Sequence, residues 1–341
     1  MKLSVIIPVF NNETFLNRCL NSVLNQRTDN FEIEVIIIND GSTDKSGEIA
    51  DYYSSQNNNI YVIHQKNQGV SVARNEGLRI ASGDYIHFLD SDDFLLHKNC
   101  YQALIDIINN ADNPIDILRF RMVRLFANRI INIDQYNNLD KINIEFEGTG
   151  IEACHQLRFV GQIGPHIYSY NLIKKIDLKF CPEVRLSEDA LFNLVLYRHA
   201  NYLIINNANI YCYYAHEGSA TFTNDKKRIK VLLDSMLESL PIVKAHLNLY
   251  DDSFFKSYRM EVFGEDVAKR MLKAGLSYSS INKYIKNGYK SGIFPVGKIH
   301  NGHTYRFYDM LLNHPLLFWL FSFPYRYIIL PCIKPLMLKN G

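Results

Sequence analysis

Four short apolar runs separated by helical stripes restrict the first hundred residues to very few folds. Leu3–Val9, Glu34–Ile38, Ile60–His64 and Tyr85–Leu89 are apolar or β-branched for most of their length, as strands buried on both faces must be. Between the first two, Phe15, Leu16, Cys19, Leu20, Val23 and Leu24 share one stripe of a helix over 14–25. Lys45–Ser54 and Val70–Ala81 carry the next two helical patterns. A strand–helix–strand rhythm requires right-handed crossovers and so a parallel, doubly wound α/β sheet. Ligands of such sheets lie beyond the carboxyl ends of the strands, so the residues just past each run matter most.

The rest of the chain is less regular. Over 101–222, Gly148-Thr-Gly150 and Gly161–Pro165 read as loops. From Asp225 the pattern turns helical, with Arg228–Leu240 and Ser253–Leu272 as examples. Three segments are therefore expected: 1–100, 101–222 and a helical extension over 223–341. Within that extension Phe307–Leu338 is apolar and aromatic, carries Arg326 and Lys334, and is broken by Pro315, Pro324, Pro331 and Pro335. No uninterrupted apolar run there approaches the ~20 residues of a spanning helix. A pair of helices packed on the α/β part is one expectation for this tail. Peripheral membrane contact is the other, since aromatic and basic residues alternate in it.

Composition removes several classes. A net charge of +2, from 37 basic and 35 acidic residues, leaves no basic footprint for nucleic acid. The six cysteines are scattered without a Cys-x-x-Cys pair, which suits buried thiols in a reducing compartment rather than disulfides or zinc. Met1-Lys2 before an apolar run imitates a signal peptide, but no small-residue cleavage site follows. A first buried strand is expected, with the α/β part in the cytoplasm.

Three strand ends carry polar turns: Asn11-Asn12-Glu13, Asn39-Asp40-Gly41-Ser42-Thr43-Asp44 and Asp90-Ser91-Asp92-Asp93. Acids at such positions take ribose hydroxyls, a base N–H or a metal. Asp90-x-Asp92 can bridge a hard cation, Mn²⁺ or Mg²⁺, to a diphosphate and neutralise the charge building on a departing nucleotide. Taken singly, Asn-Asp-Gly-Ser is also a common tight turn and Asp-Ser-Asp-Asp a helix cap. The Gly-x-Gly-x-x-Gly of a nicotinamide enzyme and the Gly-Lys-Ser/Thr of a P-loop are both absent after the first run. A metal-dependent nucleotidyltransferase would need a Gly-rich basic loop where Phe10-Asn-Asn-Glu13 stands. That enzyme, and an inactive nucleotide-sugar-binding module, are the competing readings.

Four motifs stand in order: Val5-Ile-Ile-Pro8-Val-Phe-Asn11-x-Glu13-x-Phe-Leu16; Asn39-Asp40-Gly41-Ser42-Thr43-Asp44; Asn67-Gln-Gly69-Val-Ser-Val-Ala73-Arg74-Asn75-x-Gly77; and Gly83-Asp-Tyr-Ile-His-Phe-Leu-Asp90-Ser91-Asp92-Asp93. Together they resemble the family 2 inverting glycosyltransferases of the GT-A fold, closely over about the first 95 residues and weakly over 160–220. The resemblance implies a Rossmann-like, mostly parallel sheet and transfer of a sugar from a nucleotide-diphosphate donor, UDP above all. The acceptor would be a glycan or lipid-linked glycan of a surface polysaccharide. It also implies that Pro8, Val9, Phe10 and Glu13 border the base and ribose and that Asp40 bonds the uracil or ribose. Asn67, Gly69, Arg74 and Ser91 would face the nucleotide, Asp90 would reach ribose and metal, and Asp92 would bind the metal. Asn39 stands where many relatives have a second acid.

An inverting transfer needs a general base on the acceptor side. Arg185-Leu-Ser-Glu188-Asp189-Ala-Leu-Phe192 resembles the Glu-Asp pair that supplies it, with Asp189 as the base and Glu188 orienting the acceptor or substituting for Asp189. Ser187 as N-cap before two first-turn acids would equally make a good helix start. Tyr213-Tyr214-Ala-His216-Glu-Gly-Ser219 resembles the segment that closes over the diphosphate, with His216 and Ser219 in that role. His216 is read as a third metal ligand or a diphosphate partner, the competing reading being an ordinary surface or core histidine. His300-Asn-Gly-His303 has no acid partner and is read as non-metal. The Gln-x-x-Arg-Trp motif of polymerising relatives is absent, which favours single additions.

Overall fold

Residues 1–126, 132–157, 161–216, 225–248, 267–290 and 311–324 are described by the computed structural model of the chain. They fall into two units, one of Met1–Pro182 with Glu188–His216, the other of Glu183–Ser187 with Glu217–Gly341.

In the first unit the four apolar runs become β1 (Lys2–Val9), β2 (Glu32–Asp40), β3 (Ile60–Gln65) and β4 (Tyr85–Phe88), all parallel and ordered β3-β2-β1-β4. Val5 pairs with Val35 and Ile7 with Ile37, so β-branched residues meet across the ladder. Helices α1 (Glu13–Leu24), α2 (Ser46–Gln56) and α3 (Val70–Ile80) connect them. α1 buries Leu16, Cys19, Leu20 and Val23, the stripe read from spacing. α3 lies so close to β1 that a Cβ on Gly77 would stand 2.4 Å from the Ile6 side chain.

The second half of the sheet departs from a purely parallel plan. β5 (Phe94–Leu95), α4 (Cys100–Asn109), β6 (Ile117–Phe126), β7 (Ile144–Gly148), α5 (Gly150–Gln156), β8 (His166–Ser169), α6 (Tyr170–Lys175), α7 (Glu188–His199) and β9 (Leu203–Ala215) follow in sequence. β8 inserts antiparallel between β4 and β6, the order continues β6-β9-β5, and β7 pairs with β9. Only β6 and β9 are parallel here. Polar residues in this core dilute the apolar signal of its strands. Buried His87 bonds the Tyr101 hydroxyl through Nδ1 at 2.6 Å and Gly164 O through Nε2 at 2.8 Å, and burial lowers its pKa to about 4. Buried His166 meets the Tyr197 hydroxyl at 2.8 Å. The Gly148–Gly150 loop also hides a capping box, in which Thr149 accepts from Glu152 N and the Glu152 carboxylate accepts from Thr149 N.

At the amino ends of β1 and β2, Glu34 is 3% exposed. Its carboxylate accepts from Ser4 Oγ, from Ser82 N at 2.6 Å and Ser82 Oγ at 2.7 Å, and pairs with Lys2 Nζ at 2.7 Å. Burial alone would raise this carboxyl, but the Lys2 ammonium and the serine bonds outweigh it and hold the pKa at about 2. Glu34→Ala, which strands buried donors, should cost about 3 kcal/mol in urea denaturation at neutral pH. Because the folded pKa is depressed, this contribution is present above about pH 4.5 and is lost as pH falls towards 2. The gap between wild type and variant should therefore close in acid; a gap independent of pH would contradict the ion-pair account.

The second unit is helical: α8 (Lys226–Asn248, with Pro241 inside), α9 over 267–274, α10 (Tyr278–Lys290) and α11 (Pro315–Pro324). Leu233, Met236, Met271, Leu272, Ile281 and Phe318 are buried in it. Much of the Ser253–Leu272 and Phe307–Leu338 segments, with Arg326, Lys334, His300 and His303, lies outside the described residues. No helix among the described residues is long and apolar enough to cross a membrane. Cys19, Cys100, Cys154 and Cys212 are buried free thiols.

Candidate active site

The turns after β1 and β2 are laced together before any ligand is considered. Asn11, at φ 48, accepts from Thr43 N through Oδ1 at 2.7 Å, and its own N–H donates to Ser42 Oγ at 3.0 Å. Glu13 N donates to Asp44 Oδ2 at 3.0 Å, and Lys45 N returns a bond to Glu13 Oε2 at 2.8 Å. Pro8 and Val9 are buried in β1 while Phe10 is half exposed. Asn12 Nδ2 reaches Ser91 Oγ at 2.7 Å, joining this edge to the Asp90–Asp92 turn.

Asp40 ends β2 and is 3% exposed. Its carboxylate accepts from Gln65 Nε2 at 2.7 Å, Gln68 N at 2.9 Å and Gly69 N at 2.8 Å. It thus holds the loop that presents Asn67, which is exposed. Gly69, at φ 91, takes a left-handed turn into α3 that a side chain would resist.

α3 carries Arg74 into the centre of the unit, with its side chain 5% exposed. Its guanidinium donates to Asp90 Oδ1 and Glu188 Oε1, both at 2.9 Å, over the Phe180 ring at 5.3 Å. Burial would lower its pKa, and the charges of Asp90, Glu188 and Asp189 more than reverse that. The buried Nε has no partner. Arg74 is therefore the cation linking the acid at the end of β4 to the acids at the start of α7.

Asp189 follows Glu188 in the first turn of α7 and accepts from Ala190 N through Oδ1 at 2.8 Å. Burial raises its pKa, the Glu188 charge adds to that, and Arg74 pulls partly back, leaving it at about 7. A carboxyl poised there is half ionised at neutral pH, which suits a general base. Ser187 before it has φ 65, not the extended backbone of a capping serine. Left-handed strain in a non-glycine residue beside an acid pair is typical of a functional turn.

The other acids of the β4 turn divide into two roles. Asp93 is 1% exposed and accepts from the Tyr211 hydroxyl at 2.5 Å and Tyr214 N at 2.8 Å, fastening the turn to β9. Burial, then the charges of Asp92 and Asp90, raise its pKa well above normal. Asp92 faces His216, with Oδ2 3.0 Å from Nε2; burial and the Asp90 charge raise its pKa against that bond. His216 rests on Phe15 at 4.4 Å between ring centroids. Arg18 donates to Asp92 O at 2.7 Å and lies 3.8 Å over the Tyr214 ring. Beside Arg18 is a cavity of about 540 Å³ that Phe94, Leu96, Leu125 and Tyr214 also line.

Sequence reasoning thus singled out Arg74, Asp90, Asp92, Glu188, Asp189 and His216, and these stand in one connected cluster; Ser219 lies outside the described residues. It missed Arg18, Tyr211 and the structural work of Asn12 and Asp93. An Arg three residues after Phe15, on the helix behind the first strand end, was the available hint for Arg18. Among the described residues no three His, Cys, Asp or Glu groups are placed to hold a metal by themselves. Asp90 and Asp92 are instead two mutually repelling carboxylates. That donor set fits a hard cation whose other ligands are phosphate oxygens and water.

A family model described as glycosyl transferase family 2 matches residues 4–154. The chain is 32% identical over 220 residues to the uncharacterized glycosyltransferase EpsJ of Bacillus subtilis, covering 64% of this chain and 62% of EpsJ. It is 30% identical over 238 residues to the glycosyltransferase GlyG of Streptococcus pneumoniae serotype 4, covering 64% of this chain and 72% of GlyG. Among solved structures, residues 1–349 of S. aureus TarS in complex with UDP-GlcNAc match with a TM-score of 0.60 at 19% identity, over 96% of this chain and 93% of that one. At that identity the likeness is one of fold, and it agrees with the GT-A arrangement expected from the motifs.

Proposed function

This chain belongs to the family 2 glycosyltransferases, and from that premise we propose that its acid cluster transfers a sugar, with inversion, from a nucleotide-diphosphate donor to a hydroxyl of a glycan or lipid-linked glycan. The observation that carries this reading is the Arg74 bridge, which ties Asp90 at the donor strand end to Glu188 beside Asp189. On this reading the leaving-group side and the base side lie within one guanidinium of each other. UDP is the favoured nucleotide, because TarS of the same fold binds UDP-GlcNAc. The transferred group is a hexosyl or N-acetylhexosaminyl unit, and the product a surface polysaccharide assembled on the cytoplasmic side of the membrane.

The donor base and ribose lie along the ends of β1 and β2, over the laced turns and the Asp40-held loop. Asp90 and Asp92 would hold Mn²⁺ or Mg²⁺, which when bound offsets the charge of the departing diphosphate. Asp189 takes the proton of the acceptor hydroxyl through Oδ2, its Oδ1 being held by Ala190 N. Glu188, fixed by Arg74, orients the acceptor. His216 stands against Asp92 at the diphosphate side.

Thermal-shift binding of UDP and a panel of UDP-sugars, with and without Mn²⁺, tests the donor site. One UDP-sugar should raise Tm only with metal, by the equivalent of about 2.7 kcal/mol at a hundred times its Kd. Asp92→Ala should lose that response. Absence of any nucleotide shift in the wild type under every metal condition would remove the donor site, and with it this function.

A further inference from the structure

α10 and α11 of the second unit form an antiparallel pair. The Tyr278 ring at the start of α10 meets Trp319 in α11 at 6.4 Å, while Tyr289 near its end bonds Asn313, just ahead of α11. At about 100° per residue these contacts fix which way each helix faces. On α10, Tyr278 and Tyr289 mark the flank towards α11. Ile281, Tyr284, Ile285 and Gly288 are buried on one side of that flank; Lys283, Lys286 and Lys290, all exposed, project from the other. On α11, Trp319 marks the flank towards α10 and Phe318 is buried on one side of it. Leu316, Leu317 and Leu320 stand on the other, 53%, 47% and 49% exposed. A parallel pair would send the lysines and the leucines to opposite sides. Because this pair is antiparallel, the two rows project from the same side.

We infer that this side of the helix pair is a docking surface for an anionic lipid bilayer, with the three leucines entering the headgroup boundary and the three lysines against the charged lipid. α10 and α11 contain no Asp or Glu, so nothing on either helix neutralises the lysine row, and its complement is an extended negative surface. α11 has ten residues, about 15 Å of helix, which is enough to lie in the interface and far too short to span it. Tyr278 and Trp319 sit between the two rows, where amphipathic rings suit a boundary that is apolar on one side and wet on the other. The inference deepens the lipid-linked acceptor of the preceding reading, while its evidence lies wholly in the second unit.

Flotation of the full chain with vesicles of phosphatidylcholine alone, or with about one-third phosphatidylglycerol, is the test. Three lysines should make binding to the anionic vesicles on the order of 100-fold tighter at low salt. Trp319 is the sole tryptophan, so its emission should move to the blue on binding and reports on this helix alone. Leu317→Glu with Leu320→Glu should abolish both signals. Lys283→Glu with Lys286→Glu and Lys290→Glu should remove the preference for anionic lipid. A nucleotide-induced thermal shift retained in both variants shows them folded and separates this surface from the donor site. Equal, weak flotation of the wild type with both vesicles overturns the inference. So does a leucine variant that floats like the wild type, or one whose only change is conversion of a dimer to a monomer.

Discussion

Asp189→Asn should lower kcat for sugar transfer by about 10³-fold while leaving donor binding within a factor of two to three, since a positioned base contributes about 10²–10⁴. The amide keeps the size of the carboxyl and its bond from Ala190 N but cannot take a proton. With the wild-type pKa raised to about 7 by burial and by Glu188, kcat/KM should climb as pH rises through 7 and level off above it. At pH 6 it should be roughly tenfold below the plateau, and the Asn variant should lack this limb. Stability should run the other way. A carboxyl whose folded pKa is raised contributes most below its unfolded value of about 4, and that contribution is lost as pH rises through 7. Asp189→Asn should therefore be no less stable than wild type at pH 8. Wild-type turnover in the Asn variant, or an acid limb that survives the substitution, would move the base to another residue.

Arg74→Ala should be the most damaging single change to the fold of the site. It leaves Asp90, Glu188 and Asp189 around a space that held their shared cation, and removing one partner from a buried ion pair costs about 3–5 kcal/mol. Thermal denaturation should show a fall in Tm of roughly 6–20 °C for a unit of this size. Arg74→Lys restores the charge but cannot donate to two acids in a fork, so it should recover only part of the loss. Its residual activity carries the more telling readout. Arg74 pulls the Asp189 pKa down, so a weakened hold should move the acid limb of kcat/KM to higher pH. An Arg74→Ala protein within about 1 kcal/mol of wild type would show that the bridge is not what holds the acids together.

The sequence was most legible where structure is local. β1 to β4 and α1 to α3 announce themselves because strand and helix periods alternate over short spans, and the acids that follow β2 and β4 are visible as departures from those periods. Glu188 and Asp189 were legible through their own short motif. What escaped notice were pairings made across the sheet. Asp93 reads like its neighbours at 90 and 92, yet Tyr211 and Tyr214, more than a hundred residues later, convert it into a fastening for β9. Asp40 reads as a ligand group, and nothing near it in sequence reveals that Gln65, Gln68 and Gly69 engage its carboxylate. The antiparallel β8 was hidden by His166, a polar residue at the head of the strand that is buried against the Tyr197 hydroxyl. Spacing reports what a segment can become, whereas partners chosen from distant segments decide what each polar side chain then does.

The reciprocal bonds between the β1 and β2 turns bear on how enzymes of this kind diversify. Asn11 and Glu13 give and receive with Thr43, Asp44 and Lys45, so neither turn holds its shape without the other. A recombination breakpoint anywhere between residues 13 and 43 would pair half of one clasp with half of a stranger's. Inheritance of nucleotide preference should accordingly travel as a single block containing both strand ends.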